Sequence, residues 1–194
     1  VTIEVIAPPI VAANDTATGI NGFIGATAVV NAFTADTING VAASSANATL
    51  SVAPSSTVPT QLTFDPATGS VDVKAGAAAG DYSFDYQICE RLNPSNCAVA
   101  TITVTVVPAP IVASAESTPS VFSTSGGNNL VNVLTNDTLN GQPVVISAVN
   151  LTVTTPAANP GVTLDTATGL VSVAPGTPAG AYTIGYQICE KLNP

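Results

Sequence analysis

Apolar and polar residues alternate with a period of two along most of the chain, and no stretch sustains the apolar spacing of an amphipathic helix. Tyr82, Phe84, Tyr86 and Ile88 fall on one side of an extended segment, with Ser83, Asp85, Gln87 and Cys89 on the other. Tyr182, Ile184, Tyr186 and Ile188 repeat that pattern, and Ile102, Val104 and Val106 alternate with Thr101, Thr103 and Thr105. Each segment predicts a strand with one buried face. Between such segments, Asp65-Pro66-Ala67-Thr68-Gly69 and Asp165-Thr166-Ala167-Thr168-Gly169 read as tight hairpin turns in which glycine supplies the positive φ.

The pattern repeats with a period of one small domain. Val30 to Gly40 matches Val131 to Gly141, and the stretches Leu62 to Gly69 and Tyr86 to Pro94 match Val162 to Gly169 and Tyr186 to Pro194. The opening Val1-Thr2-Ile3-Glu4-Val5-Ile6 aligns with Ile102-Thr103-Val104-Thr105-Val106-Val107. Residues 1–7 are therefore expected to be the last strand of a preceding repeat or a donor strand, with Val1, Ile3 and Val5 as the inward side chains. Residues 8–107 then form one complete repeat and 108–194 a repeat without its final strand. Pro8-Pro9 and Pro108-Ala109-Pro110 stiffen the joints. Both ends are expected to continue into further sequence.

About seven short strands in about 100 residues is the immunoglobulin-like pattern, so the predicted fold is all-β, with tandem sandwich domains. Gly80-Asp81-Tyr82 and Gly180-Ala181-Tyr182 stand where a tyrosine corner opens the penultimate strand. The antibody marks are missing, since the chain has no Trp and no cysteine pair placed to bridge two sheets. Cys89 and Cys97 instead flank one short hairpin loop, and strand parity puts both on the outward face. Their pairing implies an oxidising compartment. Cys189 recurs in the same context, and its partner is expected outside this segment.

Composition narrows the function classes. Charged residues make up 8% of the chain and the net charge is −9, which argues against nucleic acid and anionic membranes as partners. No apolar run approaches the roughly 18 to 20 residues that span a bilayer. There is no histidine, so the commonest general base is missing, and no nucleophile elbow or phosphate-binding loop occurs. Too few Cys remain for structural zinc. The glycines of Gly19 to Gly25 have the wrong spacing for a dinucleotide loop. Asp72, Asp81 and Asp85 correspond to Ser172, Ala181 and Gly185 and read as solvated acids. Calcium is the alternative cofactor, since it takes oxygen ligands and Asp36 and Asp137 recur with the repeat, but the acids that would complete an oxygen cage are missing, and both read as turn residues bonding their own backbone. Glu90-Arg91 and Glu190-Lys191 read as solvated charge pairs at the hairpin tip. Asn14, Asn47, Asn136 and Asn150 head glycosylation sequons, most of them attributable to chance in a chain so rich in Asn and Thr.

The strings Asn136-Asp137-Thr138-Leu139-Asn140-Gly141, Asp165 to Gly180 and Tyr186 to Pro194 resemble the Ig-like tandem repeats of large bacterial surface proteins and adhesins, a family with cadherin-like members. The resemblance implies an extracellular stalk or fibre whose repeats act as spacers, stiffened by calcium in some relatives. A non-catalytic rod, stalk or filament on the cell surface is the function expected. Its partners would be neighbouring copies of the repeat, end to end, and possible host or cell-surface ligands, with no nucleic acid and no insertion into the membrane. The alternative is a module that binds carbohydrate or protein through its loops, where Phe23 is the aromatic residue that stands out.

Overall fold

In the computed structural model, which describes residues 1–194, the alternating segments form strands and the chain divides into two units, Val1–Pro108 and Ala109–Pro194. The first unit contains β1 (Ile10–Val11), β2 (Asp15–Asn21), β3 (Ala26–Asn31), β4 (Thr37–Ile38), β5 (Val41–Ala42), β6 (Ala48–Val52), β7 (Leu62–Asp65), β8 (Ser70–Val73), β9 (Gly80–Glu90) and β10 (Cys97–Val107). A four-stranded sheet in the order β2-β10-β9-β6 packs on a three-stranded sheet in the order β3-β8-β7. The short strands β1, β4 and β5 form a small third sheet. This is an immunoglobulin-like β-sandwich.

The long hairpin β9–β10 organises the unit. Its register runs from Cys97 opposite Cys89 to Val106 opposite Gly80, and parity then sets Phe84, Tyr86 and Ile88 on the same face as Ile102, Val104 and Val106. Ile102 and Val104 are 0% exposed and Val106 is 2% exposed. Burying each such side chain stabilises by about 1.5–3 kcal/mol. They meet Val30 from β3, Leu62 from β7 and Val71 and Val73 from β8, while Phe64 and Phe84 pack with ring centroids 5.3 Å apart and planes tilted by 52°. On its other edge β10 pairs with β2 in parallel, Ile102 opposite Asp15 and Val107 opposite Asn21. Asn14 Oδ1 accepts the Thr101 N–H at 2.9 Å at the start of that pairing.

The expected turns form. Gly69 N–H donates to the Asp65 carbonyl at 2.8 Å with Gly69 at φ 78°, and Asp65 Oδ1 and Oδ2 accept from the Ala67 N–H and the Thr68 hydroxyl. The Asp165 turn repeats these bonds. Those local donors hold both carboxyls below the usual aspartate range. Asn39-Gly40 and Asn140-Gly141, all at positive φ, make the tight turns after Ile38 and Leu139. Tyr82 donates its hydroxyl to the Ala78 carbonyl at 2.8 Å and Tyr182 donates to Pro178 at 2.8 Å, forming the two tyrosine corners.

The second unit contains β11 (Ile111–Val112), β12 (Gly127–Asn132), β13 (Thr138–Leu139), β14 (Gln142–Pro143), a single 3₁₀ turn (Ile146–Ala148), β15 (Val149–Thr155), β16 (Val162–Asp165), β17 (Leu170–Val173) and β18 (Gly185–Glu190). The sheet β12-β17-β16 reproduces β3-β8-β7. Its opposing sheet is reduced to the pair β15-β18. Residues 1–7 are exposed and form no strand.

Candidate functional site

Two features stand out: the cysteine hairpin and a buried acid–tyrosine cluster. The hairpin comes first in the chain of cause, because the β9–β10 register sets Cys89 directly opposite Cys97. Their disulfide closes the loop with a Cα–Cα distance of 4.1 Å. Cys189 is a free, half-buried thiol. In the chain-entropy picture a loop this short contributes about 2.5 kcal/mol. Reduction, or paired Cys89→Ala and Cys97→Ala substitution, is expected to lower the first unit's urea-unfolding free energy by that amount, with no change for the second unit.

The loop between these cysteines departs from the expectation of a solvated charge pair. Glu90 is 7% exposed, and its Oε2 accepts from Asn93 Nδ2 at 2.8 Å and from Asn96 Nδ2 at 3.2 Å. Asn96 Nδ2 also reaches the Pro8 carbonyl at 2.8 Å, so this loop holds the segment that leads into the unit. Arg91 turns away from Glu90 and donates to the Ser45 carbonyl. In the second unit Glu190 Oε2 accepts from the Ala109 N–H at 3.3 Å and from Asn193 at 2.7 Å, while its Oε1 is buried without a partner. Lys191 donates to the Ile146 and Ser147 carbonyls. A charge that can reach neutral backbone acceptors and a carboxylate that can collect amide donors have no need of each other.

Asp36 is the larger correction. Its side chain does not bond its own turn; it is 1% exposed and ties the β1–β2 connection to β9. Its Oδ1 accepts the Ala13 N–H at 2.7 Å and its Oδ2 accepts the Tyr86 hydroxyl at 2.8 Å, while the Ala13 carbonyl lies 2.9 Å from the same hydroxyl. The second unit copies the arrangement, with Asp137 Oδ1 accepting the Ser114 N–H at 2.7 Å and Tyr186 donating towards the Ser114 carbonyl at 2.9 Å. A second carboxyl lies beside each pair. Asp15 carries a buried oxygen without a partner, as does its counterpart Glu116, which lies 3.1 Å from the Tyr186 hydroxyl.

Proton counting shows how such clusters persist. The Tyr186 hydroxyl has one proton and four oxygens within 3.5 Å, those of Ser114, Glu116, Val133 and Asp137. Burial raises the Glu116 carboxyl, against the opposing effect of the bond it accepts from the Tyr186 hydroxyl. In the first unit burial, and then the neighbouring Asp36 charge, push Asp15 up to about 6, and burial raises Asp36 as well. Burial and the acids around them raise both tyrosine hydroxyls, which stay neutral.

A raised carboxyl pKa has a definite sign in stability. Below the ordinary value of 3.8 the folded and unfolded chains both hold the Asp15 proton. Between 3.8 and about 6 the unfolded chain releases it while the folded unit keeps it, so stability falls as pH rises through this window and levels off above it. Asp65 and Asp165, whose pKa values are lowered, act below 3.8 and do not oppose the trend. The first unit is therefore expected to have a higher urea midpoint at pH 4 than at pH 6.5. Asp15→Asn is expected to flatten this dependence and raise the midpoint at neutral pH.

The remaining acids do not assemble. Asp72 accepts the Ala28 N–H at 2.7 Å and supports a bulge in β3 where Ala28 sits at φ 52°, while Asp81 and Asp85 accept the hydroxyls of Thr105 and Thr101 on the other sheet. No group of three or more His, Cys, Asp or Glu side chains comes together to hold a metal ion. Phe23, singled out in the sequence, is 38% exposed on the turn after β2, and Phe122, which the pattern did not single out, is far more exposed.

The two units differ in the length of the strand that carries the buried tyrosine. In the first unit β9 runs from Gly80 to Glu90 with β10 along one side; β18 begins only at Gly185, and Gly180 to Ile184 are not strand. The counterpart of β2, residues 116–122, is not strand either. In the first unit β10 pairs with Gly80 to Asp85 on one side and with β2 on the other. Tyr86 is fully buried, whereas Tyr186 is half-buried.

No protein-family model and no curated protein matches the sequence. Solved structures with partial likeness include the human Desmocollin-1 ectodomain (10% identity, TM-score 0.39, covering 95% of this chain and 37% of that one). A segment of mouse Cadherin-23 is another (11% identity, TM-score 0.38, 94% of this chain and 62% of that one). A third is a SusE-like, surface-located polysaccharide-binding protein from Bacteroides thetaiotaomicron (12% identity, TM-score 0.38, 94% and 34%). The chain thus spans less than two thirds of each.

Proposed function

We propose that this chain is a stretch of a non-catalytic structural rod, stalk or filament on the bacterial cell surface, in which sandwich units follow one another as spacers. The observation that carries this reading is the repetition of the internal ties. Asp36 and Tyr86 recur as Asp137 and Tyr186, the Asp65 turn recurs as the Asp165 turn, and the Tyr82 corner recurs as the Tyr182 corner. In each copy these polar groups are consumed in holding strands together, which suits units built for shape. The Cys89–Cys97 bridge supports an oxidising, extracellular location. No helix is long and apolar enough to cross a membrane.

Antibody against the first unit, applied to intact producing cells, tests the reading: label along surface fibres supports it, and label that requires permeabilised cells contradicts it. The alternative, a carbohydrate- or protein-binding module, rests on a shallow groove found at the same place in both units. It is lined by Thr49, Leu50 and Arg91 in one and by Asn150, Leu151 and Lys191 in the other. Saturable binding of a surface polysaccharide, lost on Arg91→Ala, would favour that second reading.

A further inference from the structure

We propose that a second copy of the chain docks on the outer edge of β6, the two β6 strands running antiparallel about a two-fold axis at Leu50, and that the corresponding edge of β15 offers the same surface. The proposal rests on the rod reading for its purpose, which is to hold neighbouring rods side by side. Pairing of sheet edges supplies main-chain hydrogen bonds without changing the fold of either partner.

The ladder decides which main-chain groups are available. Arg91 N–H donates to the Asn47 carbonyl and Ala53 N–H to the Asp85 carbonyl. Alternation along an antiparallel pair then turns Thr49 and Ser51 towards β9 and leaves the N–H and C=O groups of Leu50 and Val52 on the outer side. β6 is the last strand of its sheet, so those groups meet no other strand. In the second unit Lys191 N–H donates to the Ala148 carbonyl at 3.0 Å, which by the same alternation turns Leu151 and Val153 outward from β15. With the axis at Leu50, that residue and its counterpart in the second copy exchange both of their N–H···O bonds, and each Val52 N–H meets the other copy's Ala48 carbonyl.

The other edges of the first unit's main sheets are blunted, as exposed edges ordinarily are. β2 holds Asp15 and bends at Gly19, whose φ is 73°. β3 bulges at Ala28, and β12 in the second unit repeats that bulge at Asn129, both at φ 52°. β7 and β16 are four residues long and end in Asp65 and Asp165. β6 and β15 have no charge, no proline and no bulge over Ala48–Val52 and its counterpart 149–153. Charge favours a second copy at this edge. At a net charge of −9 two copies repel over most of their surface, yet of the chain's 3 basic residues Arg91 and Lys191 lie beside these strands. The antiparallel arrangement sets the two Arg91 side chains at opposite ends of the joined strands, because Arg91 lies opposite Asn47 at one end of β6. The contact is self-complementary, with the same edge used by both copies.

The test uses the oxidised 194-residue chain. Sedimentation equilibrium is expected to show a mass that rises above 19.1 kDa with concentration. Val52→Pro with Val153→Pro removes an outward N–H from each edge and no bond of the internal ladder, and is expected to hold the mass at 19.1 kDa with hydrogen-exchange protection of both units kept. Ser51→Lys with Thr152→Lys changes only exposed side chains and brings like charges together across the joined edges, so the same loss is expected if proline disturbs the strands. In a Cys189→Ser, Val153→Pro background, a spin label at Ser51→Cys should lie about 8 Å, backbone to backbone, from its counterpart and show dipolar broadening. A label at Thr16→Cys, on the far edge of the same sheet, should show none. A chain monomeric at all concentrations, multimers that survive the lysine variant, or equal broadening at the two label sites would each overturn the proposal. Those outcomes leave the rod reading standing, since it falls only to the surface-labelling result.

Discussion

Val104→Asp is expected to abolish the fold of the first unit, while the same change at the aligned position, Ile3→Asp, leaves both units folded. Val104 is 0% exposed at the centre of β10, between β9 and β2 and against the opposing sheet. An aspartate there loses about 1.5–3 kcal/mol of apolar burial. It also places an unpaired carboxylate in the core, at a further cost of several kcal/mol. The total is comparable to the roughly 5–15 kcal/mol that stabilises an entire domain. Hydrogen exchange resolved by peptide is the suitable readout: protection across residues 10–107 should be lost and protection across 127–190 kept. Ile3→Asp should leave both regions protected. Retained protection in Val104→Asp would mean that β10 is not the central element described here.

The second large effect is expected at Asp36. Asp36→Ala leaves the Ala13 N–H without its acceptor and removes the anionic partner of the Tyr86 hydroxyl, both in a site closed to water. The orphaned N–H costs about 1–3 kcal/mol. The Tyr86 hydroxyl keeps the Ala13 carbonyl, and relief of the repulsion from Asp15 offsets part of the loss, so a net loss of about 2 kcal/mol is expected for the first unit. Asp36→Asn keeps an oxygen for the Ala13 N–H and should cost less than half as much. Asp36→Ala should also bring the Asp15 carboxyl down, because a neighbouring charge that raises it is gone, and so shrink the pH dependence between 4 and 6. Equal unfolding free energies for the Ala and Asn variants would contradict a hydrogen-bonding role.

These two sites also show what was legible in the sequence. Val104 could be read directly, because alternation over Thr101 to Val106 assigns its face and the match with Val1 to Ile6 locates the same strand elsewhere. The Cys89–Cys97 pairing followed from the same parity, and the tyrosine corners and Asp65-type turns are local in sequence. Asp36 could not be read this way. Its partners Ala13 and Tyr86 lie 23 and 50 residues away, and nothing near Asp36 marks it as buried. Glu90 misled for a related reason: beside Arg91 it resembles half of an ion pair, whereas it collects amide donors from Asn93 and Asn96. The one available signal was recurrence. An acid at 36 and 137, and another at 15 and 116, keep step with Tyr86 and Tyr186, and a polar residue that repeats with a core aromatic is a candidate for the core itself. The absence of strand at 116–122 and 180–184 likewise has no local cause, since in the first unit the corresponding segments pair with β10.

Electron cryo-microscopy of the native assembly tests the central claim most directly. At about 3.3 Å per residue the eleven-residue strands β9 and β10 are about 36 Å long. Fibres with a regular axial repeat, no shorter than these strands are wide and made of sandwich units in a row, are the result the rod reading expects. Discrete particles with no axial repeat would contradict the rod.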